Sequence, residues 1–346
     1  MSEQDLHQNL YDDLSFDELE PRPELTPEIA KEFFPVHKEE PIDTMDEPVI
    51  IEAAYPGWQP GGDHYPAVPG GPEETTEGLI ESVEAGAAAV HTHPRDENGI
   101  PQLQSDELLV EVLDPVFEEC GEVLTLSHTW KPATGDNNHA DYVTNTKKLL
   151  EMGDGNKYCQ AALVLPIAHR GAAFNSRSSV IEGIRYMKEN DIKPLFQLYD
   201  SHAVQEFKHK VFDEGELTEE DGPHIMNINA GKHHSHNISQ DPWSYLQLLA
   251  AMGTVEDTID DAIVNVYAGG RNWLPIMVLG MIAGATVFRV GIEDAYWLYP
   301  HRDDLIPSNA EAIELAVDIA ESLGREVITD PDEARDYLGI EYTSPR

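Results

Sequence analysis

Residues 87–93 read Ala-Ala-Ala-Val-His-Thr-His, a short apolar run closed by two histidines. A run this short and this apolar reads as a parallel strand buried on both faces. Seven more runs of the same kind can be traced outward from it: Val49–Ala54, Glu122–His128, Tyr158–Leu165, Pro194–Asp200, His224–Asn229, Ala262–Ala268 and Thr286–Gly291. An amphipathic helical pattern follows each strand, at about 73–86, 104–119, 140–152, 177–190, 201–214, 240–253, 274–284 and 308–323. A last short helix is expected at about 331–338. Eight such βα units predict an α/β fold, a closed (β/α)8 TIM barrel. A doubly wound open sheet would show the same alternation, but no GxGxxG follows the first run.

Polar residues gather where these runs end. His91, His93, His128, Asp200, Asn229, Arg271 and Glu293 all lie at the C-terminal ends of strands or in the loops that follow. Barrel active sites are built at that face. His91 and His93 stand at i and i+2 of one strand, so both imidazoles face the same way and can share a metal ion. Glu293, beyond the eighth strand, can reach the same ion, because the eighth strand of a closed barrel adjoins the first and the first adjoins the second. His2Glu with an open position is a catalytic zinc pattern. As a bland alternative, Glu293 and Asp294 are acids at a helix N-terminus. Arg289 lies inside an apolar strand and needs a carboxylate such as Asp294. That pair is either structural or a proton-abstracting unit.

Other motifs carry less. His233-His234-Ser235-His236 follows the sixth strand in a loop and reads as substrate or coenzyme contact, or solvated, before metal. Gly269-Gly270-Arg271 could cradle phosphate through backbone N–H groups. Trp58, Trp130 and Trp273 sit near strand ends, where core packing is their ordinary fate.

Composition bounds the partners. The chain has 346 residues, with 22 Lys plus Arg against 65 Asp plus Glu, for a net charge of −43. That charge repels nucleic acid and anionic lipid. The acids are spread along a chain that keeps its hydrophobic pattern, so the reading is a folded protein with a heavily hydrated surface, adapted to a salty cytosol. The sequence shows no basic and apolar leader and no run of 18 apolar residues, so a cytoplasmic protein without a membrane span is expected. Cys120 and Cys159 read as buried free thiols. Residues 1–47 read as an acidic extension, and 48–346 as the barrel domain.

With these residues in place, the sequence resembles the β-keto acid cleavage enzyme family, typified by 3-keto-5-aminohexanoate cleavage enzyme. The matching segments are VIIEAAYPG at 49–57, EAGAAAVHTHPRDENGIP at 84–101, VYAGGRNWLP at 266–275 and ATVFRVGIEDAYW at 285–297. The resemblance implies a zinc-containing barrel, a homo-oligomer such as a tetramer, and a Claisen-type exchange of a β-keto acid with acetyl-CoA. By motif, it assigns His91, His93 and Glu293 to Zn2+ and Arg289 with Asp294 to catalysis. Ser127 or His128 is expected at the substrate carboxylate. Members acting on an aminated keto acid carry carboxylates where Gln59 and Gln197 stand here, so those two substrate-binding positions argue against an amino substrate. The competing reading is an amidohydrolase-type zinc hydrolase, which would carry HxH on the first strand rather than the second.

Overall fold

The computed structural model describes residues 41–57, 65–102, 105–127, 142–166, 176–233, 236–237 and 242–342. The eight expected strands form. They are β1 Val49–Ala54, β2 Ala89–His91, β3 Leu124–Thr125, β4 Ala161–Val164, β5 Lys193–Leu198, β6 His224–His233, β8 Ala262–Gly269 and β9 Val287–Val290. All pair in parallel, in the order β3-β2-β1-β9-β8-β6-β5-β4, a nearly closed barrel. Two short strands were not anticipated. β7, His236–Asn237, turns back antiparallel on β6, and β10, Val327–Ile328, pairs with the start of β1.

Helices fill the connections: α1 Pro72–Glu84, α2 Asp106–Cys120, α3 Tyr142–Gly153, α4 Arg177–Glu189, α5 Ser201–Phe207, α6 Pro242–Thr258, α7 Trp273–Ile282, α8 Asn309–Ser322 and α9 Pro331–Leu338. Their starts follow from capping chemistry. Ser105, Ser176 and Ser308 each accept a backbone N–H from the first turn of α2, α4 and α8. Asp200, picked out in the sequence as a strand-end acid, is spent in the same way: its Oδ1 accepts from Ala203 N at 2.9 Å and caps α5. α5 is shorter than its pattern, because the chain widens into a π-turn at Lys208–Phe212.

Alternation along each strand sorts the core into two shells. Outward residues such as Ile51, Ala53, Val90, Phe196, Met226, Val266 and Phe288 pack under the helices. Inward residues such as Ile50, Ala89, Leu124, Leu163, Leu195, Ile225 and Val287 fill the barrel. The C-terminal segment closes the bottom. Ile328, Ala334, Leu338 and Ile340 belong to the inner shell. Buried Arg325 donates to the carbonyls of Glu47, Pro48, Met281 and Ala285, tying the entrance of β1 to the end of α7. Cys159 is a buried free thiol, whereas Cys120, at the end of α2, is only half-buried.

Candidate active site

His91 ends β2, and His93 lies two residues on, both buried. Their Nε2 atoms are 3.0 Å apart. Glu293 reaches both, with Oε2 at 3.1 Å from His91 Nε2 and Oε1 at 3.2 Å from His93 Nε2. These donors converge within 4.8 Å of one another. Ligands about 2.05 Å from a tetrahedral zinc ion stand about 3.3 Å apart, so the observed spacing suits such an ion. Burial and the positive charge of Arg289 hold the His91 imidazole down, to about 4, so it keeps its lone pair at neutral pH. Against the burial that would raise it, Arg289 and the two histidines hold the Glu293 carboxyl well below the usual range. A neutral His91 and an ionised Glu293 are in the protonation states a metal requires.

The turn after β9 explains how Glu293 and Asp294 arrive here. Gly291 has φ +148°, and a Cβ there would stand 2.3 Å from Ala54 O and 2.5 Å from Asn309 Oδ1. The missing side chain lets the turn lie against the end of β1, where Glu293 N donates to Ala54 O at 3.3 Å. Ile292 N donates to Asn309 Oδ1 at 2.9 Å, fixing the turn to the start of α8. Asp294 N bonds back to Gly291 O at 3.0 Å, and its own carbonyl receives Gly270 N at 2.8 Å. The loop after β2 is set with equal care. Asp96 accepts the backbone N–H groups of Asn98 and Ile100, and Arg95 donates to the carbonyls of Gly57 and Gly99.

Arg289 is buried on β9 between these groups. Its Nε donates to Asp294 Oδ2 at 2.8 Å, and its Nη2 lies 2.8 Å from Glu293 Oε1. Burial alone would weaken its charge, but Asp294 and Glu293 hold it firmly protonated. The guanidinium stands over the Tyr267 ring, 4.6 Å from its centroid.

Below lies a polar layer that sequence reading did not assemble. Gln197, Asn227 and Asn265 are register partners across β5, β6 and β8, all buried. Ser127 hydrogen-bonds the Tyr267 hydroxyl, which also receives Asn227 Nδ2 at 3.0 Å. Glu52, wholly buried on β1, accepts from Asn265 Nδ2 at 3.3 Å. Its signal was present as an acid inside an apolar strand. Gln59 and His128 lie outside the described residues, as do Trp58, Trp130, His234 and Ser235. The expected loop after the sixth strand is partly strand, since His233 and His236 are partners in the β6–β7 hairpin. Arg271 is engaged with Asp303 and stacks on Trp297, and Trp273 is buried.

A barrel that gathers two histidines and a glutamate able to hold a metal ion at the ends of its strands, with an arginine-held aspartate alongside, defines a (β/α)8 enzyme. The chain belongs to the beta-keto acid cleavage enzyme family, whose sequence pattern matches residues 48–340. It is an acyltransferase that cleaves a carbon–carbon bond. Among curated proteins it is 28% identical over 298 residues to the 3-keto-5-aminohexanoate cleavage enzyme of Acetoanaerobium sticklandii, covering 85% of this chain and 99% of that protein. It is 26% identical to the 3-dehydrocarnitine:acetyl-CoA trimethylamine transferase of Rhizobium meliloti, over 86% of this chain and 98% of that one. Among solved structures, ObcA in binary complex with oxaloacetate superposes with a TM-score of 0.59 at 15% identity, covering 80% of this chain and 68% of that one, a likeness of fold.

Proposed function

We propose that this chain is a zinc-dependent β-keto acid cleavage enzyme, exchanging a β-keto acid with acetyl-CoA to give acetoacetate and a new acyl-CoA. The observation that carries the reading is the buried His91–His93–Glu293 triangle with the Arg289–Asp294 pair against it. Relatives named as acetyl-CoA transferases support the co-substrate. The catalytic domain is residues 48–346, following the acidic extension 1–47. The working form is a cytoplasmic homo-oligomer. No described helix is long and apolar enough to cross a membrane.

His91, His93 and Glu293 would hold the ion. Bound there, zinc supplies Lewis acidity toward the oxygens of the keto acid. The chain's own residues carry the proton. Asp294, its Oδ2 fixed by Arg289, takes a proton from C2 of the β-keto acid. The C2 carbanion attacks the acetyl carbonyl, a C–C bond forms, and CoA leaves as thiolate. The thiolate adds to the original 3-keto carbon, the C2–C3 bond breaks, and a new thioester remains. The departing acetoacetate carbanion recovers its proton from Asp294, which returns to its starting state. Ser127 or His128 is expected to take the substrate carboxylate. Incubation with acetyl-CoA and a panel of β-keto acids tests the reading. Acetoacetate formed only when both are present supports it, and hydrolysis without CoA would replace it with the hydrolase reading.

A further inference from the structure

Among the described residues, Glu52 is a buried carboxylate of the barrel interior for which this mechanism has no use. It is wholly buried in the middle of β1, where an apolar residue would pack without cost. Burial pushes its carboxyl up to about 7, against the pull of Arg289. Because it is shielded from the mouth, it acts through neighbours. Those neighbours form a connected path. Glu52 and Arg289 are register partners on β1 and β9. Glu52 is hydrogen-bonded to Ser127 and Asn265. Ser127 bonds the Tyr267 hydroxyl, and the Tyr267 ring is the surface on which the Arg289 guanidinium rests. Ser127 also holds φ +58°, a left-handed conformation that strains a residue with a Cβ. Such strain persists where surrounding bonds overdetermine it, and here Glu52 and Tyr267 supply them.

We infer that Glu52 is a positioning residue for the proton-transfer pair: through Ser127 and Tyr267 it seats Arg289, and so aims Asp294. The inference rests on the role proposed above for Asp294. The path runs through hydrogen bonds to the Tyr267 hydroxyl and then through its ring to the guanidinium, so its elements work as a unit and not as independent stabilisers.

The test uses Glu52→Leu, which fills the space and keeps the barrel folded, Glu52→Gln, which keeps a hydrogen-bonding head, and Tyr267→Phe, which keeps the ring and deletes the hydroxyl. Misaiming a reacting group by about 1 Å costs about 10²-fold in rate. Glu52→Leu is therefore expected to lower kcat by about that factor per metal-loaded subunit, with KM and zinc content near the parent's. Glu52→Gln is expected to recover most of the loss. Tyr267→Phe is expected to show the same split, and the double variant with Glu52→Leu no more loss than the worse single one. A merely structural Glu52 would lower the melting temperature and leave kcat per loaded subunit unchanged. That result, or fully additive losses, would overturn the inference. A crystal structure of Glu52→Leu gives a readout free of activity. The 2.8 Å contact between Arg289 Nε and Asp294 Oδ2 is expected to open. If it stays closed the inference fails, whatever the enzyme proves to act on. An inactive parent would instead sink the proposed function.

Discussion

His91 contacts Glu293, and Asp294 contacts the Arg289 that also bonds Glu293, yet the roles proposed for them are separable. Removing one imidazole leaves two protein ligands, so His91→Ala is expected to lose most of its metal by elemental analysis, and full occupancy would remove His91 from the site. Asp294 is joined to the site through Arg289 Nε at 2.8 Å and is not among the converging ligand atoms. Asp294→Asn is therefore expected to keep its zinc while turnover falls by about 10²–10⁴-fold. Near-normal turnover would leave Asp294 a structural partner of Arg289. Gln197 is expected to bear on selectivity. It is buried beside Asn227 in the amide layer, and an amide offers an ammonium group no opposite charge. A neutral or dicarboxylic β-keto acid is expected to outrun 3-keto-5-aminohexanoate in kcat/KM, and preference for the aminated acid would overturn the reading of Gln59 and Gln197. Glu52 yields a pH signature. Its carboxyl ionises at 4.5 in an open chain and at about 7 when folded. The folded state therefore holds the extra proton between those values. Stability is full below about pH 4.5 and falls as pH rises through about 7, by up to roughly 3 kcal/mol. Denaturant melts of chelator-treated protein should show this slope, and Glu52→Gln should flatten it. Equal slopes in the two proteins would mean that Glu52 ionises normally. The convergence of His91 and His93 was legible because residues i and i+2 of one strand share a face. The Glu52–Arg289 juxtaposition was not, because strand register between segments far apart in the chain has no local signature.

Elements were read well where their physics is local. The apolar runs gave the strands, and serine caps set helix starts to within a few residues. Runs such as Glu122–His128 overshot. Only Leu124–Thr125 pairs as strand, because the backbone turns to positive φ at Ser127. β7 and β10 went unseen because two-residue strands carry no period. At this scale Gly291 is the test. Any side chain there meets Ala54 O at 2.3 Å, in a backbone conformation that L-residues avoid. Gly291→Ala is expected to cost about 1–3 kcal/mol of stability in urea melts, and to weaken zinc retention because the turn carries Glu293. A change of only a few tenths of a kcal/mol would show that the turn adapts.

For the whole molecule, charge is the dominant quantity. At a net −43 the acids repel one another, and folding concentrates them. Salt shortens the reach of that repulsion to about 10 Å at 0.1 M and about 3 Å at 1 M. The melting temperature is expected to rise steadily from low to molar salt, and a flat or falling curve would refute salt adaptation. Composition stated this directly, since it needs no contact to be known. The closure of the barrel bottom was hidden in the sequence, although its consequence reaches beyond the finished fold. Ile328, Leu338 and Ile340 complete the inner shell, and Val327–Ile328 pairs with the opening residues of β1. During synthesis, therefore, the opening residues of β1 wait for Val327 and Ile328, made after the other strands of the barrel. Until they emerge, a ribosome-bound chain carries an unfinished interior, and the candidate active site waits on a closure made at the far end of the barrel from it.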